Sequence, residues 1–107
     1  MVADWIESEF TEYELILINK LCLVRRFCNA HMQEESLLSG VKKNKIGDLK
    51  KALKNISRKG IIRKYKAQDR YDYCFPMENY VSCLTILKRY SGTYPFIDVS
   101  FFPENIH

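Results

Sequence analysis

Two histidines and four cysteines are the side chains of this 107-residue chain best suited to proton transfer, nucleophilic attack or metal ligation. Their spacing argues against all three. Cys22, Cys28, Cys74 and Cys83 form no C-x2-C pair, and the nearest metal-like grouping, Cys28-Asn29-Ala30-His31, is a weak one. His107 is the last residue, so a nucleophile activated by a histidine base would have only His31 to use, beside no evident Ser or Cys partner. Glu7, Glu9, Glu12 and Glu14 look like a solvated helix start, and no glycine loop is built to cradle a phosphate. The expectation is a non-enzyme without cofactor or metal. The cysteines are expected as four buried free thiols, with no disulfide in a reducing compartment.

The remaining chemistry is charge. Seventeen basic residues against thirteen acidic ones leave a mild net +4, but the balance is segregated along the chain. Residues 1–40 carry net −4 and residues 71–107 net −2, whereas residues 41–70 hold twelve Lys and Arg against Asp48 and Asp69, net +10. Such a stretch is a candidate polyanion-binding surface; the alternative is a lysine-rich helix that only keeps the domain solvated.

These residues must be carried by a small folded unit. At 47% apolar and 28% charged, the composition is that of one globular domain, far from disorder. The apolar runs Leu15–Ile18 and Leu21–Val24 are too short to span a bilayer, so no membrane is expected. Asp4, Glu7 and Glu9 without a basic residue are the reverse of a secretory leader, which points to the cytoplasm.

Thr11-Glu12-Tyr13-Glu14 predicts a capping box and a first helix from Glu12 to Cys28, with an apolar stripe of Leu17, Leu21, Val24 and Cys28 beside a second of Ile16, Leu23 and Phe27. A short helix is expected over Met32 to Leu38, stopped by Ser39-Gly40. From Asn44 to Lys59, Ile46, Leu49, Ala52, Leu53 and Ile56 share one arc, opposite a basic and amide-bearing face of Gly47, Lys51, Lys54 and Arg58 flanked by Asn44, Asn55 and Lys50. Gly60 ends that helix. Ile61 to Ala67 and Tyr71 to Phe75 alternate as two strands of a hairpin across Gln68-Asp69-Arg70, with Tyr71, Tyr73 and Phe75 on one face. A further helix from Met77 to Tyr90 carries Met77, Tyr80, Leu84 and Leu87 as a stripe. Ile97 to Phe101 alternates like a strand between Pro95 and Pro103.

This order, with the run Leu49-Lys50-Lys51-Ala52-Leu53-Lys54-Asn55-Ile56-Ser57-Arg58-Lys59-Gly60-Ile61-Ile62, resembles winged helix-turn-helix proteins, the small prokaryotic and especially archaeal regulators among them. Leu49, Leu53, Ile56, Lys59, Gly60, Ile61 and Ile62 match the stretch in which that family ends its recognition helix and enters the wing. The hairpin is short for a wing, and the turn from Ser39 to Asn44 is richer in lysine than usual. The resemblance implies an α+β, mainly α fold: a three-helix core, a two-stranded wing and an additional C-terminal helix. The domain would span residues 12–90, between an N-terminal segment 1–11 and a tail 91–107.

It also implies sequence-specific binding of double-stranded DNA by a transcription regulator, with the third helix in the major groove and the wing on phosphates. Asn44, Lys51, Asn55 and Arg58 are the base-reading candidates; Lys42, Lys43, Lys45, Lys54, Lys64, Lys66 and Arg70 are the phosphate candidates. Two half-sites call for a homodimer, with Met77, Tyr80, Leu84 and Leu87 as interface candidates. Two other uses fit the sequence: a protein-binding module of a larger assembly, and RNA binding through Tyr65, Tyr71, Tyr73 and Phe75.

Overall fold

The computed structural model describes residues 4–25, 27, 28, 32–40 and 42–102. Thr11 closes the start of the first helix, α1 (Glu12–Val24), with the reciprocal cap that its sequence calls for. The Glu14 N–H donates to Thr11 Oγ1 at 3.3 Å and the Thr11 N–H donates to Glu14 Oε1 at 2.8 Å. The helix stops short of Cys28. Arg25 adopts a left-handed conformation (φ 53°) and its N–H closes on the Leu21 carbonyl at 2.9 Å, a cap usually made by glycine. Leu17 and Leu21 are buried, but Leu23 (53%) and Val24 (47%) are exposed, so neither apolar stripe runs through the last turn.

Where one short helix is expected, Met32–Gln33 forms a strand, β1, and only Glu34–Leu38 is helical (α2). A 3-10 turn at Lys43–Lys45 leads into α3 (Ile46–Lys59). Its core arc is as the periodicity dictates: Leu49, Ala52, Leu53 and Ile56 are buried and Ile46 is partly so. Gly60 (φ 87°) turns the chain out of the helix, the Ile61 N–H reaching the Ile56 carbonyl at 3.0 Å, and Ile61 and Ile62 drop into the core.

Strands β2 (Arg63–Ala67) and β3 (Arg70–Cys74) pair antiparallel from Arg63↔Cys74 to Ala67↔Arg70, joined by Gln68-Asp69, with Gln68 at φ 57°. β1 adds to the other edge through Met32↔Tyr73 and Gln33↔Asp72, so the sheet order is β1-β3-β2. Alternation assigns the faces but not the burial: Asp72, Tyr73, Cys74 and Phe75 are all buried, whereas Tyr71 is exposed. A 3-10 turn at Met77–Asn79 opens α4 (Tyr80–Tyr90), and Asn79 Nδ2 donates to the carbonyls of Gly60 (3.0 Å) and Ile61 (2.9 Å), tying this helix to the end of α3.

Both flanking segments contribute to the same core. Trp5 and Phe10 are buried before α1, and Arg89 of α4 donates to the carbonyls of Ile6 (2.8 Å) and Ser8 (2.9 Å). After α4, Ile97 and Phe102 are buried, and the strand expected over Ile97 to Phe101 is replaced by a 3-10 turn at Val99–Phe101, opened by Asp98, whose side chain accepts from the Ser100 N–H at 2.9 Å. That local bond satisfies an amide that a strand would have left to a partner chain. The described residues thus form a mainly helical α+β unit of four helices and one three-stranded antiparallel sheet. None of these helices is long and apolar enough to cross a membrane.

Candidate nucleic-acid interface

Burying one arc of α3 leaves its opposite arc in water. Asn44 on the leading turn and Gly47, Lys50, Lys51, Lys54 and Arg58 on the helix are exposed, and Asn55 is half-buried. Asn44 and Arg58 stand about 21 Å apart at 1.5 Å per residue, so the base-reading candidates span the whole helix, with Arg58 at the end nearest the hairpin. Lys51 and Asn55 come together at a shallow depression between α3 and the start of α1, lined also by Thr11, Tyr13, Asp48 and Ala52.

Lys42, Lys43 and Lys45 on the leading turn are exposed as well. The neighbouring Tyr13 hydroxyl, helped by the charges of Asp48 and Glu12, raises the Lys45 pKa above that of an ordinary lysine. Tyr13 is therefore a site neighbour that sequence reasoning missed. It sits on a different helix, and no period within α3 points to it.

On the hairpin, register puts Lys64, Lys66, Tyr71 and Tyr73 on one face of the sheet and Arg63, Tyr65, Asp72 and Cys74 on the other. Lys64 Nζ lies 4.1 Å over the Tyr71 ring. Arg70 is less free than its sequence position suggests, because its Nε lies 3.2 Å from Asp72 Oδ1. Tyr65 and Tyr71 are 37% and 47% exposed, whereas Tyr73 and Phe75 are in the core, so only half of the aromatics considered for base stacking reach solvent.

Lys59 is different. It faces inward, with Nζ 3.7 Å from Glu14 Oε2, donating to Ser8 Oγ (3.3 Å) and to the Glu9 carbonyl (3.4 Å), and 4.1 Å over the Phe10 ring. Glu14 is 3% exposed, which corrects its reading as part of a solvated helix start. The cap it makes with Thr11 and its proximity to Lys59 are what permit a carboxylate to be buried there.

The interface stripe expected on α4 is divided. Met77 is 66% exposed and Tyr80 half-buried, its ring edge-on to Phe27 at 5.6 Å, but Leu84 and Leu87 are completely buried inside this one chain and are not available to a second copy. α1 and the flanking segments supply their cover.

The cysteines also differ from expectation. Cys28 and Cys74 form a disulfide, their Cα atoms 4.7 Å apart; only Cys22 and Cys83 are free buried thiols. Because α1 ends at Val24, the chain can turn so that Phe27 bridges to Phe75, which carries Cys28 alongside Cys74. Burial, reinforced by a hydrogen bond with Cys22, pushes the Cys83 thiol well up, which argues against Cys83 as a thiolate nucleophile; Cys22 is likewise buried. The pairing removes Cys28 from the Cys28–His31 grouping, and His31 and His107 lie outside the described residues. Among the described residues, no three metal-ligating side chains come together.

Comparison with protein-family models, curated proteins and solved structures finds no match, so the residues and their arrangement carry the functional reading.

Proposed function

We propose that this chain binds double-stranded DNA as a winged helix-turn-helix transcription regulator, with α3 in the major groove and the β2–β3 hairpin on neighbouring phosphates. The observation that carries it is the state of the charges on α3: Lys50, Lys51, Lys54 and Arg58 are exposed and, among the described residues, make no ion pair. A concentrated cationic surface that the fold leaves uncompensated attracts a polyanion and releases its counterions on contact. The element order α1-β1-α2-α3-β2-β3, with the basic helix feeding directly into the hairpin, supports the winged arrangement.

Lys42, Lys43, Lys45, Lys54, Lys64 and Lys66, all exposed, would neutralise phosphates, with Arg70 partly committed to Asp72. Asn44, Lys51, Asn55 and Arg58 present the amide, ammonium and guanidinium donors that read base edges, and Gly47 leaves room for close approach. A homodimer reading two half-sites would raise affinity and specificity together; of the α4 stripe, Met77 and Tyr80 remain on the surface to contribute to it.

One observation favours a second reading: Tyr65 and Tyr71 are partly exposed on the lysine-bearing hairpin, where unpaired bases could stack on them. Binding of random duplex DNA, single-stranded DNA and structured RNA across a salt series separates the two. Preference for duplex with a steep salt slope supports the regulator, and preference for unpaired strands supports the stacking surface. Absent binding to all three at low salt would make the basic face a solvated surface and a protein the partner to seek.

A further inference from the structure

Two described residues after α1 are joined to the sheet. Phe27 bridges to Phe75, and Cys28 is bonded to Cys74 across a sequence separation of 46 residues. Among the described residues, β1 pairs with β3 through Met32 and Gln33. The other end of the bond lies at the open end of the hairpin: Cys74 is the cross-strand partner of Arg63, where β2 begins, and the Tyr65 hydroxyl is 3.8 Å from its sulfur. Cys74 is fully buried whereas Cys28 is only partly buried, so a thiolate arriving from solvent meets Cys28 before Cys74.

We propose that the Cys28–Cys74 bond is a redox-sensitive staple that orders the β2–β3 hairpin, and that opening it weakens nucleic-acid binding, the second half resting on the reading above. A dithiol reductant opens it by thiol–disulfide exchange. One thiolate of the reductant attacks Cys28 Sγ; the S–S bond breaks, and its electron pair leaves on Cys74 Sγ, which takes up a proton. The second reductant thiolate then attacks the reductant sulfur of the mixed disulfide, releasing Cys28 Sγ to be protonated in turn. Two electrons and two protons pass to the chain, and the reductant leaves as its own disulfide. With the bond open, Phe27 keeps its stack on Phe75 (5.7 Å), the bridge between them and its edge contact with Tyr80 (5.6 Å), but Cys28 loses its covalent tie to the sheet. The hairpin that carries Lys64 and Lys66 then loses the preorganisation that lets both meet phosphates at once.

The test compares the full chain as isolated with the same chain after dithiothreitol, the two states verified by thiol titration in denaturant, where Cys22 and Cys83 react in the first and all four cysteines in the second. Amide hydrogen exchange is read across residues 63–74 and across α3, and random duplex DNA is titrated over a salt series. Reduction is expected to speed exchange in the hairpin on the order of tenfold while α3 keeps its protection, and to lower DNA affinity by roughly tenfold with a shallower salt slope. Cys28→Ser should behave as the reduced chain and ignore the reductant. Four reactive thiols before reduction, unchanged hairpin exchange, loss of protection throughout α3, or faster exchange with unchanged DNA affinity would each overturn the proposal. If neither form binds DNA, the nucleic-acid reading fails and the exchange comparison alone decides whether the bond orders the hairpin.

Discussion

Helices α1 and α3 pack against each other and use their charged side chains in opposite ways. On α1, Glu14 is buried with its cap and with Lys59, and Lys20 reaches over to the end of α2, donating to the Ser36 carbonyl at 2.7 Å and to Ser39 Oγ at 2.9 Å. Partial burial lowers the Lys20 pKa, as expected of an ammonium that has exchanged water for carbonyls. On α3 only Lys59 turns inward, and the remaining cations face solvent. Counting charge in a sequence therefore overstates a binding surface; what a ligand meets is the charge that folding leaves unused.

The two faces of α3 allow the strongest test of that contrast. Leu53→Ala should cost about 3 kcal/mol of stability, because a buried leucine leaves a cavity, while the folded protein keeps its salt slope for DNA; the two are read by chemical denaturation and by titration. Lys51→Ala/Arg58→Ala should do the reverse. Affinity for a preferred duplex is expected to fall by about 2 kcal/mol, roughly thirtyfold, with relaxed base preference, at an unchanged melting temperature; unchanged affinity and base preference would sink the assignment of this face.

On α1, Glu14→Ala should destabilise the chain by about 1–2 kcal/mol, since it removes an N-terminal cap and strands a partly buried ammonium. DNA affinity should stay within about twofold, as a single phosphate-distant charge warrants; a larger change would mean that α1 shares in the binding surface.

The smallest effect is expected at Tyr73, another titratable group committed to the fold. Burial first, then the charge of Glu34 and the hydrogen bond to it (3.3 Å), push its phenol up to about 12. The fold favours the protonated form, so this contribution is complete below pH about 10 and is lost as pH rises toward about 12. Tyr73→Phe should cost about 1 kcal/mol at neutral pH and flatten the alkaline fall in melting temperature, as followed by circular dichroism.

Much of the scaffold is legible in the sequence because its signals are local. The Thr11/Glu14 box, the arc of Leu49, Ala52, Leu53 and Ile56, the Gly60 stop and the hairpin all depend on residues within a few positions of one another. The end of α1 was not legible: Arg25 takes a conformation that nothing in its neighbours announces. From that unmarked stop follow the Phe27–Phe75 bridge and the disulfide, neither of which helical periodicity could suggest. The candidate site divides in the same manner. The exposed face of α3 could be read from period and charge, whereas the inward turn of Lys59, the restraint on Arg70 and the proximity of Tyr13 to Lys45 required the packed chain.

Periodicity and capping, which act through backbone geometry over one or two turns, are enough to place α3, its buried arc and the basic arc opposite. Everything that joins residues far apart had to wait for packing: β1 completing the sheet, Glu14 buried under Lys59, Leu84 and Leu87 enclosed within one chain, and Cys28 bonded to Cys74. Such contacts depend on where the chain turns and on which surfaces then exclude water, and a one-dimensional pattern carries neither quantity.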